Sequence, residues 1–398
     1  MRAFHRWAVA GCVVACLFPR NLSFTSLLTA PPLTVAPLSQ EDLQNGAYLE
    51  FRQSWFTQKR HNHLLWLPKK DLSISGPEDG GEVHFDNSLD SFKSMMVLGD
   101  SYADDVDMGF HCWPTRLSRA LKLPLLNVAR GGSESTHIHA QLERAHAYNR
   151  NQQLDLKPEE VLLILHTGGN DALNALLKPW MFTSLLSDLY SLRNSMNSGI
   201  PNPKKQELSF ATTVSKNIVK ELDTLLATAA TLGHRKVLIS TLPIVSSLPL
   251  ARLLVHLLVP GSNATFVSEI LQIIGGSMNE EIHRACVALA QKHGLQTWIF
   301  DEGSSLDRLA QGAQASDLGP IAALNLALSR IKRVLSTLAG GSVTSFHDFW
   351  HDGHHPAAIA HQKLLADVVD LLKSEPEKRS EESVLSCLKI EWLACEFP

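Results

Sequence analysis

The 398-residue chain is poor in cysteine, in aromatic side chains and in net charge, and each shortage removes a class of protein. Six cysteines with no Cys-x-x-Cys pair are too few for a disulfide scaffold and offer no zinc or dithiol motif. With 36 basic against 40 acidic residues the formal charge is −4, which argues against a protein that works mainly by binding nucleic-acid phosphate. No internal repeat at a fixed period is present. What the chain does have is a 44% hydrophobic share, ordinary for a globular fold and incompatible with disorder or a coiled coil over its bulk. It also has 18 histidines, an excess that needs an explanation.

The first twenty residues carry Arg2, Arg6 and Arg20 with no acid, and Trp7 to Phe18 form a twelve-residue apolar run. That run is short of the roughly 20 residues a bilayer span needs, and a basic start followed by a short apolar stretch is the pattern of a secretory signal. Residues 1–20 are therefore expected to be an address for secretion or an endomembrane lumen, with an uncleaved anchor as the alternative, and no stable membrane span is expected. Without them the chain holds 33 basic and 40 acidic residues, a charge of −7. Cys12 and Cys16 also leave, and Cys112, Cys286, Cys387 and Cys395 remain, with three possible ways to form two bridges in an oxidising lumen. In that compartment the sequon Asn263-Ala-Thr is a glycosylation acceptor, whereas Asn21-Leu-Ser lies close to the signal.

Further on, near-continuous apolar runs alternate with helical patterns. Met95–Leu98, Val161–Leu165, Lys236–Ser240 and Gln296–Phe300 suit strands buried on both faces of a parallel sheet. Helices are expected over Trp113–Lys122, Thr212–Leu232 and Met278–His293, the last two closed by Gly233 and Gly294 just before a strand. This rhythm predicts a three-layer α/β/α domain with a doubly wound parallel sheet over residues 93–373. Residues 21–92 read as an N-terminal extension and residues 374–398 as a charged tail. The insertions 176–211 and 244–276 exceed a plain crossover; within the second, Leu250–Val259 is read as a buried helix or as an apolar wall over a cleft.

Polar clusters follow the expected strand ends. They are Gly99-Asp100-Ser101-Tyr102, then Gly131-Gly132-Ser133, then Gly168-Gly169-Asn170-Asp171, and late in the chain Asp352-Gly353-His354-His355-Pro356. In open α/β sheets ligands bind beyond the carboxyl ends of the strands, so these loops are expected to converge. A serine hydroxyl becomes a nucleophile when an imidazole takes its proton and a carboxylate orients that imidazole. Ser101, His355 and Asp352 fit those roles. The backbone N–H groups of Ser101 and Gly132 and the side-chain amide of Asn170 fit an oxyanion hole. Taken singly, Gly-Asp-Ser-Tyr is an ordinary turn and Gly-Gly-Asn-Asp an ordinary helix cap. Four such clusters in this order, each at a strand-to-loop junction, make a site.

These four blocks resemble the GDSL esterases and lipases, also called SGNH hydrolases. Asn127 to Gly132 matches the second block, and Tyr102 stands where the family name has leucine. Thr241-Leu-Pro243 and Met278-Asn279 are similar to the longer branch of the family, and the resemblance covers roughly residues 93–373. It implies a flavodoxin-like α/β/α fold, Ser101 as nucleophile, Gly132 and Asn170 as oxyanion donors, His355 as general base beside Asp352, and no cofactor. His354 is the other imidazole available for the base. The implied activity is hydrolysis of a small-molecule, lipid or acylated-carbohydrate ester. An acyltransferase with the same nucleophile and a non-catalytic binding protein on the same fold are the alternatives.

Two other site readings are weaker. None of the Gly-Gly-Ser stretches at 131–133, 275–277 and 340–342 completes a Gly-x-Ser-x-Gly elbow. His347, Asp348, His351, Asp352, His354, His355 and His361 are dense enough for a metal site. However, Pro356 disfavours the α conformation at His355, which removes the i, i+4 face that His351 and His355 would need. No metal is expected, and His347, His351 and His361 are expected at the surface or behind the site.

Overall fold

A computed structural model describes residues 65–67, 92–108, 111–198, 208–241, 246–259, 262–312 and 355–374. Residues 1–20, expected as a signal, most of the expected extension, the expected tail beyond Ser374, Asp352 and His354 lie outside the described residues, as do His347, Asp348, His351, Cys387, Cys395, Leu242 and Pro243.

One six-stranded sheet organises the fold: β1 (Leu65–Leu67), β2 (Ser94–Leu98), β3 (Leu125–Asn127), β4 (Val161–His166), β5 (Lys236–Ser240) and β6 (Gln296–Phe300), in the order β1-β3-β2-β4-β5-β6. The last five run parallel, and β1 is added antiparallel to the outer edge of β3. Strands β2 and β4 are buried along their whole length, which is why they read as continuous apolar runs rather than alternating ones. Period-two alternation then sends their side chains to opposite faces. Met96, Leu98, Leu163 and Leu165 enter one core, and Met95, Val97, Leu162 and Ile164 enter the other.

The first core is covered by α3 (Ser135–Gln152), α5 (Pro179–Asn197), α6 (Ser209–Thr231) and α8 (Ala264–Lys292). The second is covered by α2 (Trp113–Leu121), α9 (Glu302–Gly312) and α10 (Ala358–Lys373). Three short or peripheral helices complete the described set: α1 (Asp105–Met108), α4 (Gly169–Ala175) and α7 (Pro249–Leu258). The fold is thus the expected three-layer α/β/α sheet structure. Gly233 and Gly294 both adopt the left-handed φ expected where α6 and α8 end.

Two helix starts differ from the sequence reading: α6 begins three residues earlier than expected, at Ser209 and not Thr212, and α8 differs more. α8 begins at Ala264, not Met278, so Met278 and Asn279 lie in mid-helix. Asn263 caps its start by accepting the Phe266 N–H at 2.8 Å. Gly275 and Gly276, which weaken a free helix, are carried by packing of the flanking Ile274 and Met278 into the core. Asn263 itself is exposed; besides the side-chain cap, its carbonyl accepts the Val267 N–H at 3.1 Å.

The apolar stretch at 250–259 is α7. Leu250, Leu253 and Leu254 cluster with Leu173 and Leu176 at the end of α4, while Val255 and Val259 join the main core. Cys112 and Cys286 are buried and unbridged, and burial pushes the Cys286 thiol up to about 12, so it is not a nucleophile. No described helix is long and apolar enough to cross a membrane.

Candidate active site

The strand order reverses direction at β2: β3 lies on one side of it and β4 on the other. A crevice must open beyond the carboxyl ends of these strands, and the loops after β2, β3 and β4 meet there. The register pairs Leu98 with Leu165, which sets Gly99 against His166. A Cβ on Gly99 would lie 2.6 Å from the His166 carbonyl oxygen, so only glycine permits this approach.

Beyond Gly99 the chain turns sharply. Asp100 fixes the turn by accepting the Tyr102 N–H on its carboxylate (3.0 Å) and the Ala103 N–H on its carbonyl (3.1 Å). The turn presents Ser101, which is 6% exposed. Its Oγ lies 2.6 Å from His355 Nε2, although 254 positions separate the two in sequence. His355 is buried ahead of α10, with the Tyr102 ring tilted against it at 5.5 Å. His355 is thus brought against Ser101, while His354 lies outside the described residues.

The loop after β3 is bound to the serine loop by several bonds. Asn127 donates to the Ala103 carbonyl (2.7 Å), Arg130 N–H to the Gly99 carbonyl (2.9 Å) and Gly131 N–H to the Asp104 carboxylate (2.9 Å). Gly132 follows with φ +79°, in the left-handed region. Gln141 of α3 braces both peptide groups of Gly99: its oxygen accepts the Gly99 N–H (2.7 Å), and its nitrogen donates to the Gly99 carbonyl (2.8 Å) and to Ser133 Oγ (3.0 Å).

The third loop is tied in turn to the second. Asn170, in the first turn of α4, donates from its amide nitrogen to the Ser133 carbonyl at 3.0 Å. Asp171 accepts the Ser135 N–H (2.9 Å) and hydroxyl (2.5 Å). Burial raises the Asp171 carboxyl above its ordinary value, and the two Ser135 bonds oppose that rise. Ser101, Gly132 and Asn170 therefore sit on three loops held to one another, with His355 against the serine.

Beneath the serine turn is a buried ionic cluster that the sequence reading did not find. His166, the last residue of β4, has Nδ1 2.9 Å from Asp100 Oδ1 and Nε2 2.7 Å from Glu302 Oε2. Ser240, at the end of β5, donates its hydroxyl to the same Glu302 oxygen (2.5 Å). Burial pulls the His166 pKa down, but the two carboxylates outweigh it and raise it to about 10, so this imidazole is a cation. The signal in the sequence is faint: a histidine ending an apolar strand and an acid opening the helix after the last strand.

His361 is buried, not at the surface, and its Nδ1 accepts the Trp113 N–H at 3.3 Å, joining α10 to α2. Among the described residues no three His, Cys, Asp or Glu side chains gather as a metal-binding group.

A family model described as GDSL-like Lipase/Acylhydrolase matches residues 95–368. The chain belongs to this family. A search of curated proteins gave no match. The matched span of this GDSL-family chain begins in β2, which leads into the Ser101 turn, and ends in α10, which follows His355.

Proposed function

We propose that this GDSL-family acylhydrolase is a serine-dependent carboxylic-ester hydrolase. The observation that carries the reading is the 2.6 Å approach of Ser101 Oγ to His355 Nε2, both buried. At that distance His355 accepts the hydroxyl proton as Ser101 Oγ bonds to the ester carbonyl carbon. Negative charge then collects on the former carbonyl oxygen, and the N–H groups of Ser101 and Gly132 with the Asn170 amide are the donors assigned to it. Collapse breaks the bond to the alcohol, which leaves with the proton from His355. Water, deprotonated by the same ring, then cleaves the acyl-serine ester and releases the acid. Asp352 is assigned the Nδ1 side of His355, where a carboxylate holds the tautomer that leaves Nε2 free to accept.

A small-molecule ester is the substrate class this family supports. The Leu250, Leu253 and Leu254 cluster packs on Leu173 and Leu176 at the end of the helix whose first turn carries Asn170, which favours an acyl chain on that side. The basic and apolar first twenty residues support delivery to a secretory lumen. The direct test is labelling with a fluorophosphonate probe: wild type is expected to label stoichiometrically and Ser101→Ala not at all. Labelling that persists in Ser101→Ala, or a folded wild type that does not label, overturns the assignment.

A further inference from the structure

We propose that His166 is a positioning residue for the nucleophile, a buried imidazole set between the carboxylates of Asp100 and Glu302 that holds the Ser101 turn and, through Tyr102, the ring of His355. This rests on the reading of Ser101 and His355 as the reacting pair.

The geometry is direct. Asp100 Oδ1 makes an ion-pair contact with His166 Nδ1 at 2.9 Å and accepts the Tyr102 N–H at 3.0 Å, so the carboxylate beside the imidazole also fixes the peptide that follows Ser101. The Tyr102 ring stacks on His166 with centroids 5.3 Å apart and planes 11° from parallel, and its centroid lies 5.5 Å from that of His355. One imidazole therefore sets both partners of the Ser101–His355 contact, the first through a carboxylate and the second through a ring. Glu302 supports it from α9, and Ser240 orients Glu302 from β5.

A structural role alone does not account for this choice. His166 and Glu302 are 0% exposed and Asp100 is 1% exposed, and an apolar trio of similar volume generally serves a core as well or better than buried charges. Two carboxylates and one cation also leave a net negative charge below a base that becomes positive during attack, which is the favourable sign.

The groups around His166 are Asp100 from the turn after β2, Glu302 from α9 with the Ser240 hydroxyl of β5 bonded to it, and the Tyr102 ring. The next titratable groups are Asp171, which senses Asp100, Cys112, which senses Glu302, and His355 across Tyr102.

The test measures the rate of fluorophosphonate labelling at Ser101 against pH. Glu302→Gln keeps the shape and removes one carboxylate, so His166 should lose its proton within the assay range. Its labelling rate is expected to fall between about pH 7 and 9, while wild type stays level there. A merely structural role produces no such new titration. His166→Gln is expected to slow labelling by about tenfold to hundredfold at every pH, as misplacement of a reacting group does. Wild-type rates and pH profiles in both folded variants overturn the proposal. A folded wild type that does not label at Ser101 refutes the reading beneath it, a separate outcome. Should neither variant fold, wild type carries the test. Its rate must drop as the ring N–H signals of His166 titrate by NMR, and a rate that stays level across that titration overturns the inference.

Discussion

Acidification should destabilise this fold well before its carboxylates titrate, because of two histidines far from the serine. His146 of α3 and His234, just ahead of β5, meet Nε2 to Nε2 at 2.9 Å with rings edge to face, and His234 is 0% exposed. At least one ring must be neutral to accept that bond. Burial, with the neighbouring charges of His146 and Arg235, pushes His234 down to about 3, and burial with Arg150 also lowers His146. An unfolded histidine titrates near 6.5, so between that pH and about 3 the unfolded chain binds a proton that folded His234 refuses. Stability from this site is complete above pH 6.5 and is lost on acidification. The slope is about 1.4 kcal/mol per pH unit well below 6.5, which sums to about 2 kcal/mol between pH 7 and 5. His166 acts in the opposite direction. Raised to about 10, it contributes fully below pH 6.5 and loses its contribution as pH climbs toward 10. Stability should therefore peak near pH 6 to 7. Urea unfolding followed by tryptophan fluorescence at pH 7, 6 and 5 measures the acid limb. His234→Gln should start lower at pH 7 yet lose much less on acidification. Equal losses in wild type and variant would show that the pair does not control the slope and refute the argument.

Two further outcomes test the remaining assignments. Asn170→Ala should lower kcat for a short-chain ester by about 10²–10³-fold with little change in KM, as removal of an oxyanion donor does; an unchanged kcat removes Asn170 from that role. If the chain passes through a secretory lumen, the exposed Asn263 should carry a glycan, seen as a mobility shift on peptide N-glycosidase treatment that Asn263→Gln abolishes. The same substitution should cost α8 about 1 kcal/mol through loss of its cap, and a shift that survives it places the glycan elsewhere.

Much of the architecture was legible in the sequence because a strand buried on both faces leaves no alternative to a continuous apolar run. The four runs expected as strands match β2, β4, β5 and β6 within a residue at either end. The start of α8 was not legible: Gly275-Gly276 reads locally as a break, and only packing against the rest of the first core carries the helix through it. The three-residue β1 is also too short to carry a periodic signal, and its place is set by hydrogen bonds to β3.

The site divides in the same way. Residue type and order determined that a serine, a histidine and two loop donors would stand at strand ends, since the chemistry of acyl transfer admits few side chains in those roles. The resemblance already pointed to His355 as the base, but only the tertiary structure brings it to 2.6 Å from Ser101, since the two stand 254 positions apart in the chain. Tertiary structure also decided the state of His166. In sequence that residue is one of 18 histidines, and only folding brings Asp100 and Glu302 to its two nitrogens in a site buried from solvent. Charge at a buried group is set by what surrounds it in space, and that arrangement comes from the crossing of β2, β4 and α9 rather than from any local run of residues.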